Sequence, residues 1–490
     1  RTPLAAALLA PGTNNNGPSN NMTINGAPSF QNLFVVDGVI AQDNLRNTPA
    51  TLYIEDAIQE TGTTTASISA EYGRFGGGIV NAVTKSGGNS FSGSYRSTFN
   101  NDKWTALTPF PNDRRADKLD LIHELTLGGP ILKDKLWFFA SARHRKQEGT
   151  GQTRGTNITY DTGDKENRGQ LKLTYSPNSK HTFRASALEG RQTLQNSNFQ
   201  SIMDLASLYD EERPQHFVSL GYTAVLRPNF FIEAQASRKA FTFANSGSKA
   251  TDPIAGTLLV DGITGFRYNA ATFCGVCTNE ERNNENYIIK GNYFASTSNL
   301  GSHNIVAGVD VFRDNRLANN HQAGSDYRIF TSDTIIRGTE LFPVFDENSL
   351  IRYQPILQKS LGNDFRTYSA FLNDAWQVNP RLSVNLGVRF DKNDGKDAGG
   401  VLVVRDSAIS PRASVTFDPG ANGVWTLNAG FSQRSPASFQ SWMRSRSWLM
   451  GRLLMMRSGW IRAGASCSRW RASSLAIEDR CRSLAERVRG

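Results

Sequence analysis

The sequence predicts an all-β fold in which part of a small α+β domain precedes a partial antiparallel β-barrel of the membrane-spanning kind. Three observations predict it. Apolar and polar residues alternate with period two in segment after segment between Phe91 and Gln433. The connections between those segments alternate between short and long. The composition sets 28 Phe and 13 Tyr against 6 His in 490 residues, with 43 Gly, which suits strands and turns better than an α/β enzyme.

Charge narrows the field further. The net charge of +10 would suit a nucleic-acid or anionic surface, but eleven Arg and three acidic residues in 441–490 supply +8 of it, leaving +2 for residues 1–440. No nucleic-acid partner is therefore expected. No run of about twenty apolar residues exists, so a membrane helix is excluded while a barrel crossing on alternating strands is not. The start, RTPLAAALLAPG, lacks an initiating Met and a cleavage pattern, and reads as the interior of a longer chain.

In chain order, residues 1–18 read as linker or a truncated start, with five Asn between Gly12 and Asn21. Short strands are expected at Thr23–Ile24 and at Leu33–Val36, the latter closed by the Asp37-Gly38 turn signal, and after a break at Asn47 and Pro49 a further short element, Ile54–Ile58, leads to Gln59 and Glu60. The stretch Ser69–Gly93, SAEYGRFGGGIVNAVTKSGGNSFSG, joins the two regions: three glycines, a buried strand at Ile79–Thr84, then a Gly-Gly-Asn turn. Its glycines fit backbone packing better than a phosphate-cradling loop.

Thirteen strands are then expected, at 91–99, 121–128, 136–143, 169–176, 181–189, 217–226, 230–239, 286–296, 303–313, 367–378, 381–391, 410–417 and 424–433. Val218, Leu220, Tyr222, Ala224 and Leu226 share one face of their segment, against Ser219, Gly221 and Thr223. Short links such as 177–180 and 227–229 take turns with long polar connections, of which 240–285 and 314–366 are the longest. In a meander this puts all long loops on one side, outside the cell, and all short turns on the other. Aromatic residues near strand ends, among them Tyr95, Tyr175, Phe312, Tyr368 and Trp376, suit headgroup-level girdles, and charges such as Lys172, Glu233 and Asp374 suit a polar lumen.

With these residues assembled, a resemblance is clear. VVDGV (Val35–Val39), IQE (Ile58–Glu60) and the string ending at Gly93 resemble the final part of the plug domain of TonB-dependent outer-membrane receptors, in particular the Oar-like group. GNYFASTSNL (Gly291–Leu300), GSHNIVAGVDVF (Gly301–Phe312) and NHQAGSDYRI (Asn320–Ile329) are similar to that group as well. The likeness covers about residues 19–435. It implies the C-terminal part of a plug at 19–90 and the N-terminal part of an outer-membrane barrel at 91–433, holding about 13 of an expected ~22 strands. It also implies binding of a large external solute and its admission through a plugged barrel, with outer-membrane lipid and a TonB-type energising protein as partners. The plug positions it marks are Asp37, Gly38, Glu60, Glu71, Tyr72, Gly73, Arg74, Gly77, Gly78, Gly87 and Asn89, set to fix plug turns and contacts with the wall. A buried Glu71 or Glu60 would need Arg74 or a barrel arginine as partner.

Enzymatic chemistry finds no support in the residues. Cys274 and Cys277 form one CxxC in a long connection; a loop disulfide is the favoured reading, ahead of free thiols and of a metal or redox role. The six histidines show no ligand spacing and read as lumen or loop residues, and Asp161, Asp164 and Glu166 read as a solvated loop and not a calcium site. No metal or cofactor is expected. An adhesion or structural surface protein on the same barrel is the alternative, and a secreted all-β carbohydrate-active enzyme the third reading. The tail 434–490 loses strand alternation and carries four of the eight Trp, which points to a shift of reading frame or a gene-model artefact.

Overall fold

The computed structural model describes residues 3–17, 21–42, 53–106, 117–245, 250–271, 279–297, 300–317, 323–353, 363–397, 399–422 and 426–432. The chain divides into two units, Arg1–Ser445 and Arg446–Gly490, and every described residue belongs to the first. Cys274, Cys277, Trp425 and the tail 434–490 lie outside the described residues.

A small mixed sheet comes first. Its strands are β1 (Leu33–Val36), β2 (Val39–Ile40), β3 (Ile58–Thr64) and β4 (Ile79–Thr84), in the order β2-β1-β4-β3 with β1 and β4 parallel. Asp37 and Gly38 both have positive φ, +49° and +82°, so the β1–β2 link is the two-residue turn that matches strand twist. The element at Ile54–Ile58 is a 3-10 turn, Glu55–Ala57, that leads into β3 at Ile58. A short helix, Pro3–Ala7, precedes them, and Ala7 packs with Met22, Ile24, Phe34 and Val80.

Thirteen strands in one antiparallel meander follow, as the alternation predicts. They are β5 (Ser92–Asn101), β6 (Leu119–Leu132), β7 (Leu136–Gln152), β8 (Thr159–Asn178), β9 (His181–Ser197), β10 (Tyr209–Arg227), β11 (Phe230–Phe243), β12 (Glu280–Thr297), β13 (Gly301–Leu317), β14 (Asn363–Asn379), β15 (Leu382–Lys396), β16 (Leu402–Phe417) and β17 (Leu427–Ser432). Burial is inverted relative to a soluble sandwich. Val218, Leu220, Ile289, Val309, Leu372 and Ile409 are exposed, whereas Glu124, Lys172, Ser219, Lys239, Asp310 and Arg389 between such positions are buried. Apolar side chains outward and polar ones inward is the arrangement a lipid-facing wall requires, and it overturns the reading as a secreted soluble enzyme. Among the described residues no helix is long and apolar enough to cross a membrane.

Several expectations need correction. The connections 144–168 and 392–409 are mostly strand: β7 and β8 pair out to Gln152 and Thr159, and β15 and β16 out to Lys396 and Leu402. Sequence alternation fades there because both faces turn polar beyond the lipid, while the backbone ladder continues. Asp161, Asp164 and Glu166 consequently lie on a strand, where Asp164 bonds Arg145 at 2.5 Å and buried Glu166 sits against Arg145 and Arg168. The connection 314–366 is not structureless. Its strands at Tyr327–Thr331 and Leu350–Tyr353 form one sheet with Leu258–Asp261 and Arg267–Tyr268 from the preceding long loop.

The histidines also differ from expectation. Side chains of His123, His144, His181, His216 and His303 alternate with the inward set and so lie on the outer face, while His321 is outside the described residues. His181 stacks on Tyr222 at 6.0 Å, and His303 stacks on Trp376 at 5.3 Å and bonds Asp374. Asp374 therefore faces outward, hydrogen-bonded to an imidazole near the short-turn end. Phe312 is turned inward and buried, and takes no part in a girdle.

Candidate functional site: the contact between small domain and wall

Chain connectivity positions the site. After β3 the backbone runs through Ser67–Arg74 before returning as β4, and in this stretch it has few ladder bonds of its own. Its polar groups are met by the wall. Asn385 Nδ2 donates to Ser67 O at 2.9 Å, and Ala70 N donates to Asn373 Oδ1 at 2.9 Å. Arg412 donates to Ser69 O and, at 2.6 Å, to Tyr72 O, while Arg389 Nη1 donates to Glu71 O at 2.8 Å.

Charge pairs complete the contact. Asp310 receives Arg74 at 2.9 Å and Arg389 at 2.9 Å, and Arg389 also reaches Asp391 at 2.8 Å. Lys290 bonds Glu71 at 2.8 Å and lies 3.5 Å from Glu233. Five consecutive strands, β12 to β16, thus hold one eight-residue segment. Two backbone features serve this. Arg74 adopts φ +61°, a left-handed conformation rare for a long side chain, with its guanidinium 4.2 Å from the Phe312 ring centre. A Cβ on Gly73 would stand 2.6 Å from Arg389 Nε, so the arginine passes only where there is no side chain.

The opposite side of the small domain is tied more loosely in sequence but by the same chemistry. Lys172 on β8 reaches Asp37 at 3.3 Å, and Asp37 accepts from Thr84 N at 2.9 Å. Arg143 pairs with Glu55 at 3.1 Å, Arg96 with Asp56 at 2.9 Å, and Arg168 donates to Tyr53 O at 2.6 Å. Because strands from β5 through β16 all reach the small domain, the sheet wraps around it.

A cavity of about 510 Å³ lies between the two, lined by Asp37, Glu71, Arg74, Lys172, Glu233 and Lys290 among others. Six of the residues marked in the sequence, Asp37, Gly38, Glu71, Tyr72, Gly73 and Arg74, line it together. The remainder do not. Glu60 is exposed on β3 and has no ion pair among the described residues, Gly77 and Gly78 pack against Asn32 and Ile24, and Gly87 lies against the backbone of Phe138. Asn89 bonds Asp134 N at 2.9 Å and Trp137 Nε1 at 2.7 Å, fixing the entry to β5 at the short-turn end. The arginine partner expected for Glu71 is instead Lys290.

With this geometry in place, comparison with known proteins is decisive. The description "Outer membrane beta barrel domain" matches residues 83–160 and 145–399. The chain belongs to the outer-membrane β-barrel family. Within it, the chain is similar to the TonB-dependent transporter Oar of Myxococcus xanthus, 26% identical over 532 aligned residues, which cover 87% of this chain and 48% of the relative. It thus spans about half the length of that relative.

Solved outer-membrane barrels share the fold. The transporter YddB from Escherichia coli superposes with TM-score 0.58 at 14% identity, covering 86% of this chain and 55% of the other. The siderophore receptor PirA from Acinetobacter baumannii gives 0.59 at 15%, covering 87% and 57%. The ferripyoverdine receptor of Pseudomonas aeruginosa gives 0.56 at 13%, covering 86% and 52%. The wall and the small domain it surrounds thus share their fold with solved outer-membrane receptors.

The wall partners Asp310, Asn373, Arg389 and Arg412 are invisible as a site in the sequence. The available signal was weak but real: each is a polar or charged residue at an inward position of an alternating strand.

Proposed function

We propose that this chain is the plug end and the first part of the barrel of a TonB-dependent outer-membrane receptor, which binds a large solute at its outer loops and admits it when the plug contact loosens. In this reading residues 19–90 act as plug, 91–433 as wall, and 434–490 as the product of a changed reading frame. The observation that carries it is the clamp on Ser67–Arg74. It consists of ion pairs and side-chain-to-backbone hydrogen bonds, a closure that rehydration can replace bond for bond once the segment is pulled. A purely hydrophobic contact would have no such exchange partner in a polar lumen.

The test is uptake by cells carrying the natural protein, with and without a TonB-type energising protein. Uptake lost with the partner supports the proposal. Uptake or surface attachment indifferent to the partner would favour the adhesion reading, which the folded outer-loop sheet makes worth testing alongside.

A further inference from the structure

Leu258–Asp261, Arg267–Tyr268, Tyr327–Thr331 and Leu350–Tyr353 make a four-stranded sheet out of two extracellular loops. Register fixes its faces. Leu258 stands opposite Arg328, Val260 opposite both Arg267 and Phe330, and Arg328 opposite Arg352. Arg267, Arg328 and Arg352 therefore share one face, with Arg328 and Arg352 as direct cross-strand neighbours, an arrangement of like charges that is unfavourable by itself.

Among the described residues no carboxylate pairs with it. None of the three makes an ion pair among the described residues. Asp261, the sheet's own carboxylate, lies on the opposite face and accepts from Thr264 N at 2.7 Å and Thr264 Oγ1 at 2.6 Å. The undescribed stretches of these two loops, 246–249, 272–278, 318–322 and 354–362, contain no Asp or Glu and add two lysines. Arg267 is only 9% exposed, and its Nε and Nη1, together with Arg328 Nε, are buried without a hydrogen-bond partner. The guanidinium groups rest on rings instead: Arg267 is 5.1 Å from the centre of Phe199, and Arg328 and Arg352 are 5.7 and 4.8 Å from that of Phe330. Burial and the two neighbouring arginines push Arg328 down to about 10.

We propose that Arg267, Arg328 and Arg352 form an anion site in the outer-loop sheet that takes a carboxylate- or phosphate-bearing soluble ligand. Buried, unpaired N–H groups of arginine are costly unless an oxyanion meets them, and the planar fork suits carboxylate and phosphate alike. Arg352 is exposed and gives the ligand a way in. Lipid phosphate is the other source of this chemistry. The sheet grows from strands of 17 and 18 residues, well beyond the ~9–11 that cross a bilayer, which lifts the arginines above the headgroups. The inference rests on the reading of these loops as the solute-facing end and specifies that solute's chemistry.

The experiment is thermal unfolding and titration calorimetry of the natural protein purified in zwitterionic detergent, with citrate, inorganic phosphate and lipopolysaccharide as separate probes. Citrate or phosphate is expected to raise the unfolding temperature of the wild type. Arg352→Gln, at an exposed position that tolerates substitution, and Arg328→Gln are expected to bind roughly tenfold more weakly, the loss of one charge-assisted bond. Absence of binding by both soluble anions, or equal binding by the variants, overturns the site. Binding of lipopolysaccharide alone overturns the soluble ligand. Anion binding that persists while uptake proves independent of TonB would leave the site standing and remove the transport reading.

Discussion

Asp310 is the residue on which the clamp turns, because two arginines from different parts of the chain share its carboxylate. Removing a partner from a buried pair leaves charge without compensation, which costs far more than the pair itself contributes. Asp310→Asn is therefore expected to destabilise the folded protein by about 3–5 kcal/mol, read from denaturant unfolding in detergent. The other carboxylate nearby, Asp391, bonds Arg389 through its Nε and makes no pair with Arg74, so it does not stand in for Asp310. An unfolding midpoint equal to wild type would show that water or a shifted Asp391 replaces the lost carboxylate. Half of this site was legible beforehand. Glu71 and Arg74 stand in a local string of glycines and aromatics that marks them, but their partners lie 219 and 236 residues further along. Only the register of the whole meander brings Lys290 and Asp310 to the correct height, and no local pattern encodes that.

Elements were legible wherever lipid imposes an apolar face, and became obscure where it stops doing so. The period-two pattern located all thirteen strands, yet their outer ends were cut short because ladder bonds persist where both faces are polar. The outer-loop sheet was missed for a related reason: its strands are four or five residues at most, and Leu258–Asp261 finds its parallel partner across the intervening strands β12 and β13. Leu258 is fully buried in that sheet with Val260, Ala323 and Phe330. Leu258→Ala is expected to cost about 2–4 kcal/mol locally by leaving a cavity. The loss should be read as faster proteolysis within 250–271 and 323–353, with the unfolding midpoint of the wall unchanged. A wall that weakens in parallel would show that cap and barrel are one cooperative unit.

At the scale of the molecule the wall is an open sheet, since β5 and β17 lie at its two edges with no ladder between them among the described residues. In a bilayer an unpaired edge leaves a row of N–H and C=O groups facing hydrocarbon, each costing several kcal/mol, so a spanning sheet has to close. Closure by β5 and β17 themselves is opposed by the filling: the small domain occupies the space that twelve of these strands curve around, and its clamp already sets their spacing. Further strands are needed to complete the circle, in keeping with the 48% of the Oar relative that this chain covers. Residues 1–432 refolded alone into detergent are therefore expected to lack the compact, heat-modifiable band of closed barrels on electrophoresis. The same residues continued by the strands of the complete protein should show it. A heat-modifiable band from the isolated residues would mean that the edges pair with each other or between copies, and that the sheet can reshape its plug contact to do so.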